Sequence, residues 1–308
     1  MSGVIVVGAG VVGLSCAVRL LEAGHRVDVL ARDLPLETTS AVAAALWYPY
    51  RAFPEAQVTG WSRTSYAAFE ALSTGEGTGV RMLAGTEVLR TRSADPWWRT
   101  AVPSLSRLES PPAPYADGWS FVAPVVEMPV YLAWLAARVE ELGGTLTRMA
   151  LSALPDRPGV VVNATGLGAR LTAQDPSLMP VRGQVAYVEQ VGLDRWWLDG
   201  SGPVYVVPRS RDIVVGGTDD EGEWDRRVDT EVAARILARA TELVPALAGA
   251  RVIGHRVGLR PVRPEVRLEV EQAAAGGTRV VHCYGHGGAG VTLSWGCADE
   301  VVQLVESR

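Results

Sequence analysis

The stretch that most constrains this chain is its first thirty residues. Val4-Ile5-Val6-Val7 is a short β-branched apolar run that reads as a buried strand. It leads into Gly8-Ala9-Gly10-Val11-Val12-Gly13, and Leu14 to Ala23 then sets Ala17, Leu20 and Leu21 on one helical face. Gly24 stops that helix and Arg26 to Leu30 alternates as a second strand. In such a unit each glycine has a job: Gly8 permits the tight turn, Gly10 lets a pyrophosphate approach the backbone, and Gly13 lets the helix pack close to the strand. The helix N-terminus adds unpaired N–H groups and a partial positive charge. The unit predicts a dinucleotide site. The acid expected on the ribose is Asp33, but Arg32 stands before it, and this order does not decide between NAD and FAD.

At 308 residues the chain can bury one large core or two moderate ones. Its net charge of −5 argues against a nucleic-acid partner. No apolar run approaches the roughly 18 residues of a membrane span. With no secretory signal before the first strand and no retention address in Val305-Glu306-Ser307-Arg308, a cytoplasmic location is expected. The three cysteines, Cys16, Cys283 and Cys297, are scattered, and the four histidines lack ligand spacing, so the reading includes no metal. The oligomeric state stays open, a homodimer included.

Thr38-Thr39-Ser40-Ala41-Val42-Ala43-Ala44-Ala45-Leu46-Trp47-Tyr48-Pro49 could bring a ligand close to the backbone, but its composition favours an N-capped Ala-rich helix stopped by Pro49. Helices are predicted over Trp61–Leu72, Tyr131–Leu142 and Thr230–Val244, the last capped by Asp229. Val160 to Asn163 reads as a parallel strand whose C-terminal edge, Ala164-Thr165-Gly166, is where ligands sit in such sheets. Val185–Val188, Val204–Val207 and Ile213–Gly216 read as short antiparallel strands. Near the end, Val280-Val281 feeds Tyr284-Gly285-His286-Gly287-Gly288-Ala289-Gly290-Val291-Thr292 and a helix from about Leu293 to Val305, a second glycine-rich approach to a helix N-terminus. The fold class is α/β: a Rossmann-like dinucleotide domain of residues 1–75, 130–180 and 275–308, interleaved with an α+β domain of 76–129 and 181–274 on a mainly antiparallel sheet.

Gly258-Leu259-Arg260-Pro261-Val262-Arg263-Pro264 places two arginines before prolines, which favours extended backbone, and an arginine fork matches a carboxylate. Whether Arg260 and Arg263 face the same way is open at this level. Taken with Gly8 to Ser15, Val42-Ala43-Ala44 with Leu46-Trp47, Pro203-Val204-Tyr205-Val206-Val207-Pro208, Tyr284 to Gly288 and Trp295-Gly296-Cys297-Ala298, the chain resembles the D-amino-acid oxidase family along nearly its whole length.

The resemblance implies FAD and the oxidation of D-amino acids, preferably neutral ones, by O2 to 2-oxo acids, ammonia and H2O2, with hydride passing from Cα to flavin N5. D-aspartate oxidase or a glycine/sarcosine-type amine oxidase is the alternative. It implies that Arg260 clamps the substrate carboxylate, that Tyr205 donates to it, and that the Gly288 backbone meets the amine. It also implies cofactor contacts from Gly8, Ala9, Gly10, Val11, Val12, Gly13, Arg32, Asp33, Thr38, Thr39, Ala44, Ala45, Leu46, Ala150, Thr165, Arg260, Gly287, Gly288, Gly290, Val291 and Thr292. No acid or base side chain is required, and His286 reads as structural. Three departures stand out: the Asp199-Gly200-Ser201-Gly202 loop is short and has Ser201 where other members carry a second tyrosine, Ala45 replaces a usual glycine, and Tyr48 takes a place often held by a smaller polar residue.

Overall fold

The computed structural model describes residues 3–156, 159–202, 204–272 and 277–307. Their strands are Gly3–Val7 (β1), Arg26–Ala31 (β2), Val80–Leu89 (β3), Ser106–Arg107 (β4), Asp117–Val126 (β5), Thr145–Arg148 (β6), Gly159–Asn163 (β7), Met179–Glu189 (β8), Trp196–Asp199 (β9), Val204–Pro208 (β10), Asp212–Gly216 (β11), Asp220–Glu221 (β12), Val252–Gln272 (β13) and Thr278–His286 (β14). All belong to one sheet, ordered β4-β5-β3-β9-β10-β11-β8-β13-β14-β7-β1-β2-β6, with β12 beside β8. From β14 through β7, β1 and β2 to β6 the strands are parallel. From β14 back to β9 they are antiparallel. The 21-residue β13 joins the two parts. Val252 to Val262 pairs with β8, and Arg267 to Gln272 pairs with β14.

The helices are Val11–Glu22 (α1), Glu55–Leu72 (α2), Met128–Glu141 (α3), Ala169–Thr172 (α4), Thr230–Leu243 (α5) and Gly290–Glu306 (α6). β1 is apolar at every position from Val4 to Val7 because both its faces are covered. Val4 and Val6 join the core under α1, α2, α3 and α6, whereas Ile5 and Val7 pack with Val161 on the opposite face. α5 covers the antiparallel part, where Ile236, Ala240 and Leu243 meet Ala186, Val206 and Val215. Asp229 caps this helix as its sequence predicts, accepting from the N–H groups of Glu231 and Val232 at 2.8 and 3.0 Å.

The Ala-rich stretch is not the helix its composition favours. Only Thr39–Val42 makes a 3-10 turn, after which the chain is irregular, with no helix. Leu46 bridges Val125, and the Trp47 N–H donates to Pro124 O at 2.8 Å. Pairing with β5 outweighs alanine's intrinsic preference.

Candidate active site

β1 ends in the glycine turn, and the turn is as tight as its sequence requires. Gly8 has φ +118°, and a Cβ there would press on the Ala164 carbonyl at the end of β7. A Cβ on Gly13 would overlap the Gly8 carbonyl, so α1 lies directly on the turn. Gly10 faces open space, with only Ser40 Oγ near a built Cβ, at 3.2 Å. Gly10 and Ala289 are the N-cap residues of α1 and α6, and neither provides a side-chain cap. The two N-termini meet where Gly290 approaches Val12. Two positive helix ends around a groove that glycine keeps open form a cradle fitted to the pyrophosphate of FAD. Thr165, one residue past Ala164, donates from Oγ1 to Asn163 at 2.7 Å. Ser40 was not foreseen: its hydroxyl accepts from the Val11 N–H at 3.1 Å and ties the Thr38–Ser40 turn to the start of α1.

From that turn the chain runs along the sheet edge. Thr39 Oγ1 donates to Leu259 O at 3.3 Å, and Ala44, Ala45 and Leu46 follow. Ala45 has φ +57°, which explains why a glycine is usual there. An L-residue in this conformation costs roughly 1–2 kcal/mol, and glycine returns about half of that as chain entropy. Ala45→Gly is therefore expected to stabilise by about 0.5–1 kcal/mol; a lower denaturation midpoint in urea would contradict this.

Tyr48 is fixed on three sides. Its backbone N–H donates to Thr292 Oγ1 (3.1 Å), which in turn donates to Tyr48 O (3.0 Å). Its ring packs edge-on against buried Trp98 at 5.4 Å. Its hydroxyl donates to Glu87 Oε1 at 2.8 Å. Burial pushes the Glu87 carboxyl up from the ordinary 4.5 to about 7, Tyr48 pulls it back and Asp199 adds to the rise. The folded state thus holds this proton more tightly than the unfolded chain does. The resulting stability is complete below about pH 4.5 and is lost as pH rises towards 7, on the order of 3 kcal/mol in all. Glu87→Gln keeps an acceptor for Tyr48 and is expected to flatten that decline; thermal melts across this interval showing the same slope in both proteins would refute the assignment.

Arg260 projects from β13 into a second cluster. Its guanidinium lies over Gly183 of β8, where any Cβ would meet Nη2, and Nη1 donates to Thr218 O at 2.9 Å. Tyr205 of β10 crosses Gly216 and Gly217 with its hydroxyl end, and the guanidinium offsets part of the rise that burial gives its phenol pKa. Gly288 completes the group: a Cβ there would stand 2.6 Å from the Tyr50 ring and 3.5 Å from Arg260 Cδ. At the neighbouring Gly287, which has φ +56°, a Cβ would overlap the Arg51 carbonyl. A fixed cationic fork, a phenol and a glycine backbone thus converge beside the α6 N-terminus. Arg263 takes the other direction and pairs with Asp175 at 3.0 Å. Burial opposes ionisation of Asp175, yet hydrogen bonds from Ser177, Tyr284 and Arg263 hold it at about 2.

The remaining anticipated residues lie at the rim or below it. Arg32 is exposed and closes on Asp33 at 2.6 Å, and that contact lowers the Asp33 carboxyl's pKa. Ala150 is exposed just beyond Met149, whose N–H donates to Ala31 O. Val291 is buried at the start of α6. Pro203, quoted with the Tyr205 motif, lies outside the described residues. His286 is buried, its pKa pushed down to about 4 by burial, and sits 3.9 Å from Cys283 Sγ. The cysteines that read as scattered are gathered by α1, β14 and α6: Cys283, His286 and Cys297 bring their ligand atoms within 4.8 Å of one another, and Cys16 adjoins them. Contact with Cys283, then burial, raises the Cys16 thiol pKa well above its usual value. Tyr50, Arg51, Thr218 and Asp219 were not anticipated, because a turn such as Thr218-Asp219-Asp220-Glu221 reads as ordinary solvated loop.

A parallel sheet carrying this glycine turn, with a second glycine-rich helix start beside it, defines a dinucleotide-binding oxidoreductase fold. The chain belongs to the FAD dependent oxidoreductase family, which it matches over residues 3–304. It is 51% identical over 310 residues to a D-amino-acid oxidase of Rubrobacter xylanophilus, covering 97% of this chain and 94% of that one. It is 43% identical over 310 residues to a D-amino-acid oxidase of Streptomyces coelicolor, covering 98% and 96%. The glycine oxidase of Geobacillus kaustophilus superposes with a TM-score of 0.82 at 22% identity, over 99% of this chain and 95% of that one. Among the described residues no helix is long and apolar enough to cross a membrane.

Proposed function

We propose that this protein is a cytoplasmic oxidase that converts D-amino acids, O2 and water to 2-oxo acids, ammonia and H2O2. The observation that carries the reading is the convergence of Arg260, Tyr205 and Gly288 at the α6 N-terminus. Arg260 holds the substrate carboxylate through the N–H groups that Thr218 does not occupy. Tyr205 donates a further hydrogen bond to that carboxylate, and the Gly288 carbonyl accepts from the amine. FAD would be held by the Gly8–Gly13 turn, Thr38–Leu46 and Gly287–Thr292, and would supply the hydride acceptor for the Cα hydrogen. The α6 N-terminus, with its partial positive charge, would favour negative charge on that group. No side chain is assigned as general base: His286 is buried and tied to Cys283, and the chemistry rests on orientation. Residues 1–75, 130–180 and 275–308 form the flavin half of this reading, and 76–129 with 181–274 the substrate half. The continuous parallel run β14-β7-β1-β2-β6, all within the first set, supports that division.

Neutral substrates are preferred over D-aspartate, because Arg209, Arg263 and Arg51 already face carboxylates and Arg211 is exposed. Arg209 pairs with Asp212, Arg263 with Asp175, and Arg51 with Asp219 and Glu221. Three buried free cysteines support a reducing compartment. The test is anaerobic bleaching of the flavin absorbance, followed by peroxide release in air, over a panel of D- and L-amino acids. Bleaching by D-alanine or D-valine is expected; flavin that no D-amino acid reduces removes the reading.

A further inference from the structure

Asp219 is the acidic group nearest the substrate-binding guanidinium. One oxygen stands 3.7 Å from Arg260 Nη1, buried and without a hydrogen-bond partner. The other oxygen pairs with Arg51, whose second nitrogen reaches Glu221 at 2.5 Å. Arg51 also donates to the Tyr50 hydroxyl at 3.3 Å, and the Tyr50 ring lies against Gly288. The position of Asp219 is not left to a mobile turn. Its neighbour Thr218 accepts from the Gln184 N–H at 3.0 Å and its carbonyl receives Arg260.

Charge counting gives this arrangement a direction. Without substrate, Arg51 and Arg260 balance Asp219 and Glu221. When a substrate carboxylate neutralises Arg260, two carboxylates face the single guanidinium of Arg51, and the buried Asp219 oxygen beside Arg260 has no hydrogen-bond partner. An uncompensated acceptor of this kind favours a donor and repels an anion.

We propose that Asp219 selects the substrate side chain, favouring D-amino acids with a cationic side chain and rejecting acidic ones. The proposal rests on the oxidase reading above and goes beyond it by naming the residue and the sign of the selection. The test compares substrates of matched shape in the flavin-loaded enzyme: D-lysine with D-norleucine, and D-aspartate with D-asparagine. In the wild type kcat/KM for D-lysine is expected to exceed that for D-norleucine. In D219N the lysine-to-norleucine ratio falls about tenfold and the aspartate-to-asparagine ratio rises by a similar factor, the size expected for one hydrogen bond to a charged group. A purely structural effect of the substitution would move both members of each pair together. Unchanged ratios in D219N, or a wild type that turns over D-norleucine better than D-lysine, overturn the proposal while leaving the oxidase reading intact. Should D219N not fold, the wild-type comparison alone decides. Failure of every D-amino acid to reduce the flavin removes both.

Discussion

Arg260→Ala is expected to lower kcat/KM for a neutral D-amino acid by roughly 10²- to 10³-fold or more, from the 3–5 kcal/mol typical of breaking a buried charge pair. Several features make this side chain hard to replace. It is mostly buried, it lies flat on Gly183, and Thr218 O fixes one N–H so that the rest of the fork keeps its aim. An alanine leaves Tyr205 as the remaining donor assigned to the carboxylate and removes the positive charge that opposes Asp219. The loss should appear in substrate binding and in turnover, since a carboxylate that is not pinned no longer orients Cα. The variant should keep its flavin colour. A yellow, folded Arg260→Ala enzyme with undiminished kcat/KM would eliminate the clamp.

Gly13→Ala is expected to yield protein that is destabilised and largely colourless. The added methyl would overlap the Gly8 carbonyl and stand 2.9 Å from the carbonyl carbon, both backbone atoms that cannot rotate away. α1 would have to lift from the turn, against its packing on α3 and α6. Overpacking of this kind costs about 1–3 kcal/mol and at times more. Moving the helix also withdraws the N–H groups that face the cofactor's phosphates. The matched control is Gly60→Ala in α2, where a built Cβ meets nothing within 4 Å. That change should leave flavin content alone and stabilise slightly, since alanine is the better helix former by about 1 kcal/mol. Equal flavin content in the Gly13 and Gly60 variants would refute this account of the turn.

How much of this was legible in the sequence depends on how local the cause is. The glycine turn and the Asp229 cap were legible because a few adjacent residues fix them. The Ala43–Ala45 run was misread because pairing with β5, some 80 residues away, decides its conformation. The divergence of Arg260 and Arg263 is what strand alternation gives residues three apart; what stayed illegible is whether the strand is regular there, since the register of β13 against β14 shifts between Val262 and Arg267. The motif resemblance singled out Arg260, Tyr205 and Gly288, which the fold brings together. It did not locate Asp219, because an acid in a polar turn carries no mark of the arginine it will face. The thiol cluster was hidden in the same way: Cys283 and Cys297 lie on different elements, and Cys16, far away in sequence, joins them only when α6 packs on α1.

The uninterrupted sheet has a mechanical consequence. Its parallel and antiparallel parts share one strand, β13, which pairs with β8 up to Val262 and with β14 mainly from Arg267, so any movement of one part against the other has to pass through residues 263–266.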